Sequence, residues 1–151
     1  MARPKLIEDT LLLELIKKYF YEECHNNVRK LKSSLKNLLP RMKACADLRI
    51  AEPALKKGDW RSLKPDCTAL WVEVGCGKGK FTAETAQANP DVLLIAVERC
   101  REAMVVAMEK AQAMGLKNVY YIDMDVANIE EIFAGFEIDR LFINFPDPWP
   151  R

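Results

Sequence analysis

Four short apolar runs, each carrying or leading to a carboxylate at a nearly constant interval, constrain this chain more than any other feature. Residues 69–74 (ALWVEV) contain Glu73, 92–97 (VLLIAV) end at Glu98, 118–122 (NVYYI) lead to Asp123 and Asp125, and 140–144 (RLFIN) lead to Asp147. Taking Asp125 in the third unit, the acids lie 25, 27 and 22 residues apart. That is the length of one strand, one helix and their loops. Helical patterns fill the gaps at 81–88, at 101–114 before a stop signal at Gly115, and as a short turn around 129–133. Apolar, β-branched and aromatic runs alternating with helices predict an α/β fold with a parallel sheet. Right-handed crossovers put the carboxyl ends of such strands on one edge, so Glu73, Glu98, Asp125 and Asp147 are expected to converge on one crevice. Any one of these acids alone reads as well as a helix cap or a solvated loop charge. Four in register point to a site.

The first strand runs directly into Gly75-Cys76-Gly77-Lys78-Gly79-Lys80 and then into the helical pattern. Strand, glycine loop and helix together suit a ligand that approaches the backbone, where a Cβ would intrude. The spacing Glu73-x-Gly75-x-Gly77-x-Gly79 is not the dinucleotide fingerprint, whose third glycine would fall on Lys80. Nor is it a P-loop, because Phe81 rather than Ser or Thr follows Lys80. The fourth strand leads into Phe145-Pro146-Asp147-Pro148-Trp149-Pro150-Arg151. Three prolines restrict their own φ and that of each preceding residue, which predicts a stiff turn presenting Asp147. The acids sit on separate strands without tight ligand spacing, so no metal site is expected. An organic ligand with hydroxyls and positive charge suits them better.

Glu73 to Gly79, Glu98 at the second strand end, and Asn144-Phe145-Pro146-Asp147-Pro148-Trp149-Pro150 together resemble the bacterial tRNA (guanine-N7)-methyltransferase family. Gly58-Asp59-Trp60 is similar to the G-x-W ahead of the family's first strand, and 37–42 (NLLPRM) match more loosely. The resemblance covers 37–151 and implies a Rossmann-like S-adenosylmethionine methyltransferase fold. In such a fold the site residues for S-adenosyl-L-methionine would be Glu73 beside the methionine moiety, the backbone of Gly75, Gly77 and Gly79, Glu98 on the ribose hydroxyls, and Asp125 near the adenine. Asp123 ranks second for that last place. Asp147 would be both catalytic and cofactor-binding, and Arg151, standing where the family has a lysine, would bind the tRNA substrate. The implied reaction is methyl transfer to N7 of a guanosine in the tRNA variable loop. A sheet of this class has seven strands, and four are visible, so the resemblance implies a domain truncated after the fourth strand.

The net charge of +1 hides an asymmetry. Residues 1–66 carry 15 Lys and Arg against 9 Asp and Glu, whereas 67–151 carry 8 against 13. Between Asn26 and Ala46 stand six basic residues and no acid, a pattern that suits RNA phosphates and equally a solvated helix face. We therefore expect a basic helical extension over 1–58 and the methyltransferase part over 59–151. Five cysteines at 24, 45, 67, 76 and 100 form no C-x-x-C pair and read as reduced thiols in the cytoplasm, with Cys76 a packing residue. His25 reads as a surface residue. The amphipathic pattern over 6–20 is interrupted by Glu8, Asp9 and Glu14, which argues against a signal peptide or membrane span. Two other readings remain open. One is an inactive fragment that binds cofactor or RNA without transfer. The other is a methyltransferase acting on an exocyclic amino group, disfavoured because Phe145 and the order Pro-Asp-Pro-Trp depart from the usual Asn/Asp-Pro-Pro-aromatic motif.

Overall fold

The structure, a computed structural model, describes residues 28–144. The helix expected over 6–20, Cys24, His25, Asp147 and Arg151 lie outside the described residues. The chain divides into two compact units, with the boundary between Ala44 and Cys45. The first unit contributes helix α1 (Val28–Ala44), with Arg41 and Lys43 in its last turn, where the helix dipole favours cations.

The second unit begins with three 3-10 turns at Ala46–Leu48, Pro53–Lys56 and Trp60–Leu63. Then come β1 (Ala69–Val74), α2 (Lys80–Ala88), β2 (Val92–Glu98), α3 (Arg101–Ala113), β3 (Val119–Asp123), a 3-10 turn (Val126–Asn128) running into α4 (Ile129–Ile132), and β4 (Arg140–Ile143). The sheet order is β3-β2-β1-β4, and every neighbouring pair is parallel. The expected α/β class and the four strands are present. β3 starts one residue later than expected and includes Asp123. Its predecessor Asn118 turns its buried amide onto the carbonyls of Ala86, Asn89 and Val92, at 2.9 to 3.0 Å, and so closes the loop between α2 and β2.

The register explains the two faces of the sheet. Leu70 and Val72 of β1 lie beside Leu93 and Ile95 of β2, and these pack with Val97, Ile122, Ile132, Phe133 and Trp60 into one core. Trp60 is fully buried, donates its indole N–H to the Ile132 carbonyl at 2.7 Å, and has its ring 5.1 Å from that of Phe133. The segment 46–58, grouped with the basic extension on composition, therefore leads into a residue that this core needs. Ile50 also donates its N–H to the Tyr121 carbonyl at 2.9 Å, laying the segment against β3. On the opposite face α2 and α3 bury Ala83, Ala86, Met104, Ala107, Met108 and Ala111. β2, covered on both faces, is buried from Val92 to Val97, which is why its sequence is a continuous apolar run. β4 carries exposed Leu141 and Ile143.

Candidate functional site

From β1 the chain crosses to β2 and on to β3, then returns to the other side of β1 for β4. The order thus reverses between β1 and β4, and an open parallel sheet forms its ligand crevice outside the strand ends at such a switch point. Glu73 stands there. It is 1% exposed, yet among the described residues its carboxylate meets only neutral donors: the Thr82 hydroxyl at 2.5 Å on Oε2 and the Asn144 amide at 3.2 Å on Oε1. Burial pushes its pKa up, the two hydrogen bonds pull it down, and nearby Glu98 pushes it up again, leaving it above the ordinary carboxylate value.

The three glycines of the loop all have positive φ, between 54° and 73°, but the space around them differs. A Cβ on Gly79 would lie 2.8 Å from the Ala107 Cα, so this glycine lets the start of α2 pack against α3. A Cβ on Gly75 would lie 3.3 Å from the Asn144 carbonyl oxygen. At Gly77 nothing stands within 4 Å, so this backbone is the open part of the cradle. Gly77 donates its N–H to Glu98 Oε2 at 2.8 Å, and Cys100 donates to Oε1 at 2.8 Å. Those two bonds hold a half-buried carboxylate against the open glycine, with a second lone pair on each oxygen able to accept from ligand hydroxyls.

At the third strand end the two acids separate in role. Asp123 is buried, with Arg101 Nε bonded to Oδ2 and Arg49 Nη2 at 3.9 Å. Asp125 is about half exposed, accepts from the Ala127 N–H at 3.0 Å to cap the following 3-10 turn, and faces Arg99 at 3.6 Å. The structure thus brings Glu73, Gly75, Gly77 and Glu98 together, with Asp125 near the rim through Arg99 and Asp123 consumed by its arginines. Asp147 and Arg151 lie outside the described residues. Cys76 is buried and its thiol pKa is pushed upward, mainly by burial, which suits packing rather than nucleophilic attack. Cysteines 67 and 76 are free thiols. Among the described residues no group of acids, cysteines or histidine is placed to hold a metal, and no helix is long and apolar enough to cross a membrane.

Three residues essential to this geometry were not singled out in the sequence. Thr82 sits in the first turn of α2, where a polar residue on an inward helix face was the available signal. Asn144 was read only as part of a motif. Ala107 matters by being small opposite Gly79, and no local signal marks it. A cavity of about 500 Å³ opens at the opposite edge of the sheet, among Leu63, Lys64, Gln87, Met114, Leu116 and Lys117. It holds none of the strand-end acids, and the glycine crevice is the candidate because the carboxylates, the cradle and the switch point coincide there.

A family model described as "Putative methyltransferase" matches residues 68–151. The tRNA (guanine-N(7)-)-methyltransferase of Halalkalibacterium halodurans is 41% identical over 105 residues, covering 70% of this chain and 48% of that protein. The enzyme of the same name from Bacillus subtilis is 34% identical over 106 residues, covering 70% and 50%. The chain spans about half the length of the curated relatives it matches. Among solved structures, the antibiotic-resistance methyltransferase Kmr is similar at a TM-score of 0.50 and 26% identity, over 59% of this chain and 47% of that one. The sheet, the glycine crevice and a family match across more than half its length agree: this chain belongs to that methyltransferase family.

Proposed function

We propose that this chain provides the cofactor-binding part of a tRNA (guanine-N7)-methyltransferase that takes its methyl group from S-adenosyl-L-methionine. In this reading residues 59–151 are the amino-terminal part of the methyltransferase domain and 1–58 a basic extension. The observation that carries the reading is the crevice itself, where buried Glu73 and half-buried Glu98 flank the open backbone of Gly77. When bound, the cofactor supplies an electrophilic methyl on a sulfonium. Glu73 places negative charge beside the cationic methionine part, and Glu98 accepts from the ribose hydroxyls through the lone pairs left free by Gly77 and Cys100. Such charge-assisted bonds are stronger than neutral ones. Asp125, exposed at the rim, is the residue for the adenine side.

The guanine N7 lone pair forms the new N–C bond as the C–S bond breaks, and the bonding pair stays on sulfur. No proton need leave first, so orientation supplies much of the acceleration. Positive charge develops on the purine, and Asp147 is the carboxylate assigned to orient the base and stabilise that charge. Arg151 and the basic residues between 29 and 43 contact tRNA phosphates, and the reaction takes place in the cytoplasm.

The test is transfer of radiolabelled methyl to unmodified tRNA, with the labelled atom mapped. Label on a guanosine N7 is expected, with Asp147→Asn lowering the rate by about 10²–10³-fold, the scale of losing one preorganised electrostatic group. Label on an exocyclic nitrogen, or no transfer by the parent chain, would overturn the reading. Undiminished activity in Asp147→Asn would remove that residue's role.

A further inference from the structure

We propose that Thr82 is a positioning residue for the cofactor, its hydroxyl holding the buried Glu73 carboxylate in one place and in its charged form. The proposal deepens the methyltransferase reading and rests on it for the identity of the ligand. Thr82 is fully buried in the first turn of α2 and donates to Glu73 Oε2 at 2.5 Å, while the Asn144 amide donates to Oε1. The hydroxyl comes from a rigid element. Gly79 precedes α2 in a left-handed conformation, with φ 71°, and its lack of a Cβ lets the helix start pack on Ala107 of α3. Ala83 and Ala86 of the same helix are buried as well. Helix packing rather than a loop therefore sets where the donor stands, and a ligand-binding group is placed most accurately by such a support.

A carboxylate out of contact with water stays ionised only where donors replace that water. Burial pushes the Glu73 pKa up, and of the two hydrogen bonds that oppose this, the one from Thr82 has the larger effect. Glu98, at the end of β2, acts in the same direction as burial. Cys76 in the glycine loop and Tyr121 on β3 also feel the Glu73 charge, but their own burial raises their pKa values and keeps them neutral. The charged side chains of the loop, α2 and β4, Lys78, Lys80, Glu84 and Arg140, are exposed, and Arg140 lies over the Trp71 ring. Removing the Thr82 hydroxyl takes the donor from Oε2, so Glu73 takes up a proton at higher pH. A protonated Glu73 presents no charge to the cationic methionine moiety.

The test measures affinity for S-adenosylhomocysteine, which keeps the α-ammonium group, against pH in the full chain and in Thr82→Val, Thr82→Ser, Glu73→Gln and the Glu73→Gln, Thr82→Val double variant. Parent affinity should fall as pH drops and Glu73 takes up its proton. In Thr82→Val that fall should begin at higher pH, leaving affinity about 10–100-fold below the parent where the two curves lie furthest apart, the scale of one hydrogen bond to a charged group. Thr82→Ser restores the donor and should recover most of the loss. With Glu73→Gln in place, the displacement in pH between threonine and valine should vanish, because the coupling runs through the carboxylate. A threonine that only packs would lower affinity by one factor at every pH, with or without the carboxylate; that result, or an undisplaced curve, would overturn the proposal. Thr82→Ala carries the same comparison if the valine variant does not fold. If the parent binds no S-adenosylhomocysteine, the cofactor reading fails and pH-dependent stability in urea decides the role of Thr82. Loss of the hydroxyl raises the folded pKa of Glu73 further, so the fall in stability with rising pH should extend to higher pH in Thr82→Val than in the parent, and coincident curves would reject the coupling.

Discussion

Glu73 and Asp123 occupy equivalent places, each a buried acid at the carboxyl end of a parallel strand, but their surroundings are opposite. Asp123 lies against guanidinium groups from Arg101 and Arg49, whereas among the described residues Glu73 has only a hydroxyl and an amide. A buried charge is costly unless paired, so the pairing at Asp123 belongs to the architecture, fastening β3 to the start of α3 and to the segment before β1. The partly compensated charge at Glu73 is a cost to the fold that a cationic ligand would offset. That contrast separates an acid that supports the architecture from one that is a candidate for ligand binding.

The largest expected effect that tests the contrast is Asp123→Ala. Removing the carboxylate shared by buried Arg101 and partly buried Arg49 should destabilise the fold by about 3–5 kcal/mol in a urea titration. A loss below about 1 kcal/mol, the level of an exposed pair, would mean that the arginines relax into water and would break the comparison. Asp125→Ala should cost about 1 kcal/mol by the same measurement, since it removes a cap rather than a buried charge. The smallest effect on stability, and one of opposite sign, is expected for Glu73→Gln. The folded pKa of Glu73 lies above its unfolded value, so the native chain holds a proton that the unfolded chain has released. Stability should therefore fall as pH rises from the unfolded to the folded pKa, and the glutamine variant should lack this fall. Above that window it should be at least as stable as the parent yet bind S-adenosylhomocysteine more weakly. Parallel pH–stability curves for the two proteins would show that Glu73 carries no burial cost.

Much of the site was legible from spacing because parallel strands convert sequence intervals into a shared edge. The 25-residue step from Glu73 to Glu98 does bring both acids to neighbouring strand ends, where Gly77 donates to Glu98. The glycine pattern also foretold a backbone approached closely, though not by what. Gly79 is small for Ala107 and Gly75 for Asn144, partners 28 and 69 residues away, and of the three loop glycines only Gly77 faces open space. Thr82 escaped notice because a threonine in the first turn of a helix is common, and only its distance from Glu73 gives it a role.

The sequence by itself determined the class of fold, the parallel sheet, the edge on which the acids gather and the loop that opens there. These follow from local periodicity, glycine placement and the handedness of crossovers, all of which act over short stretches of chain. Only the tertiary structure decided that β1 lies between β2 and β4, that Asp123 meets arginines while Glu73, among the described residues, meets neutral donors, and that Asn144 reaches back to the first strand. Those outcomes depend on contacts between residues tens of positions apart, where burial and the sign of the nearest charge, rather than residue type, set what an acid can do.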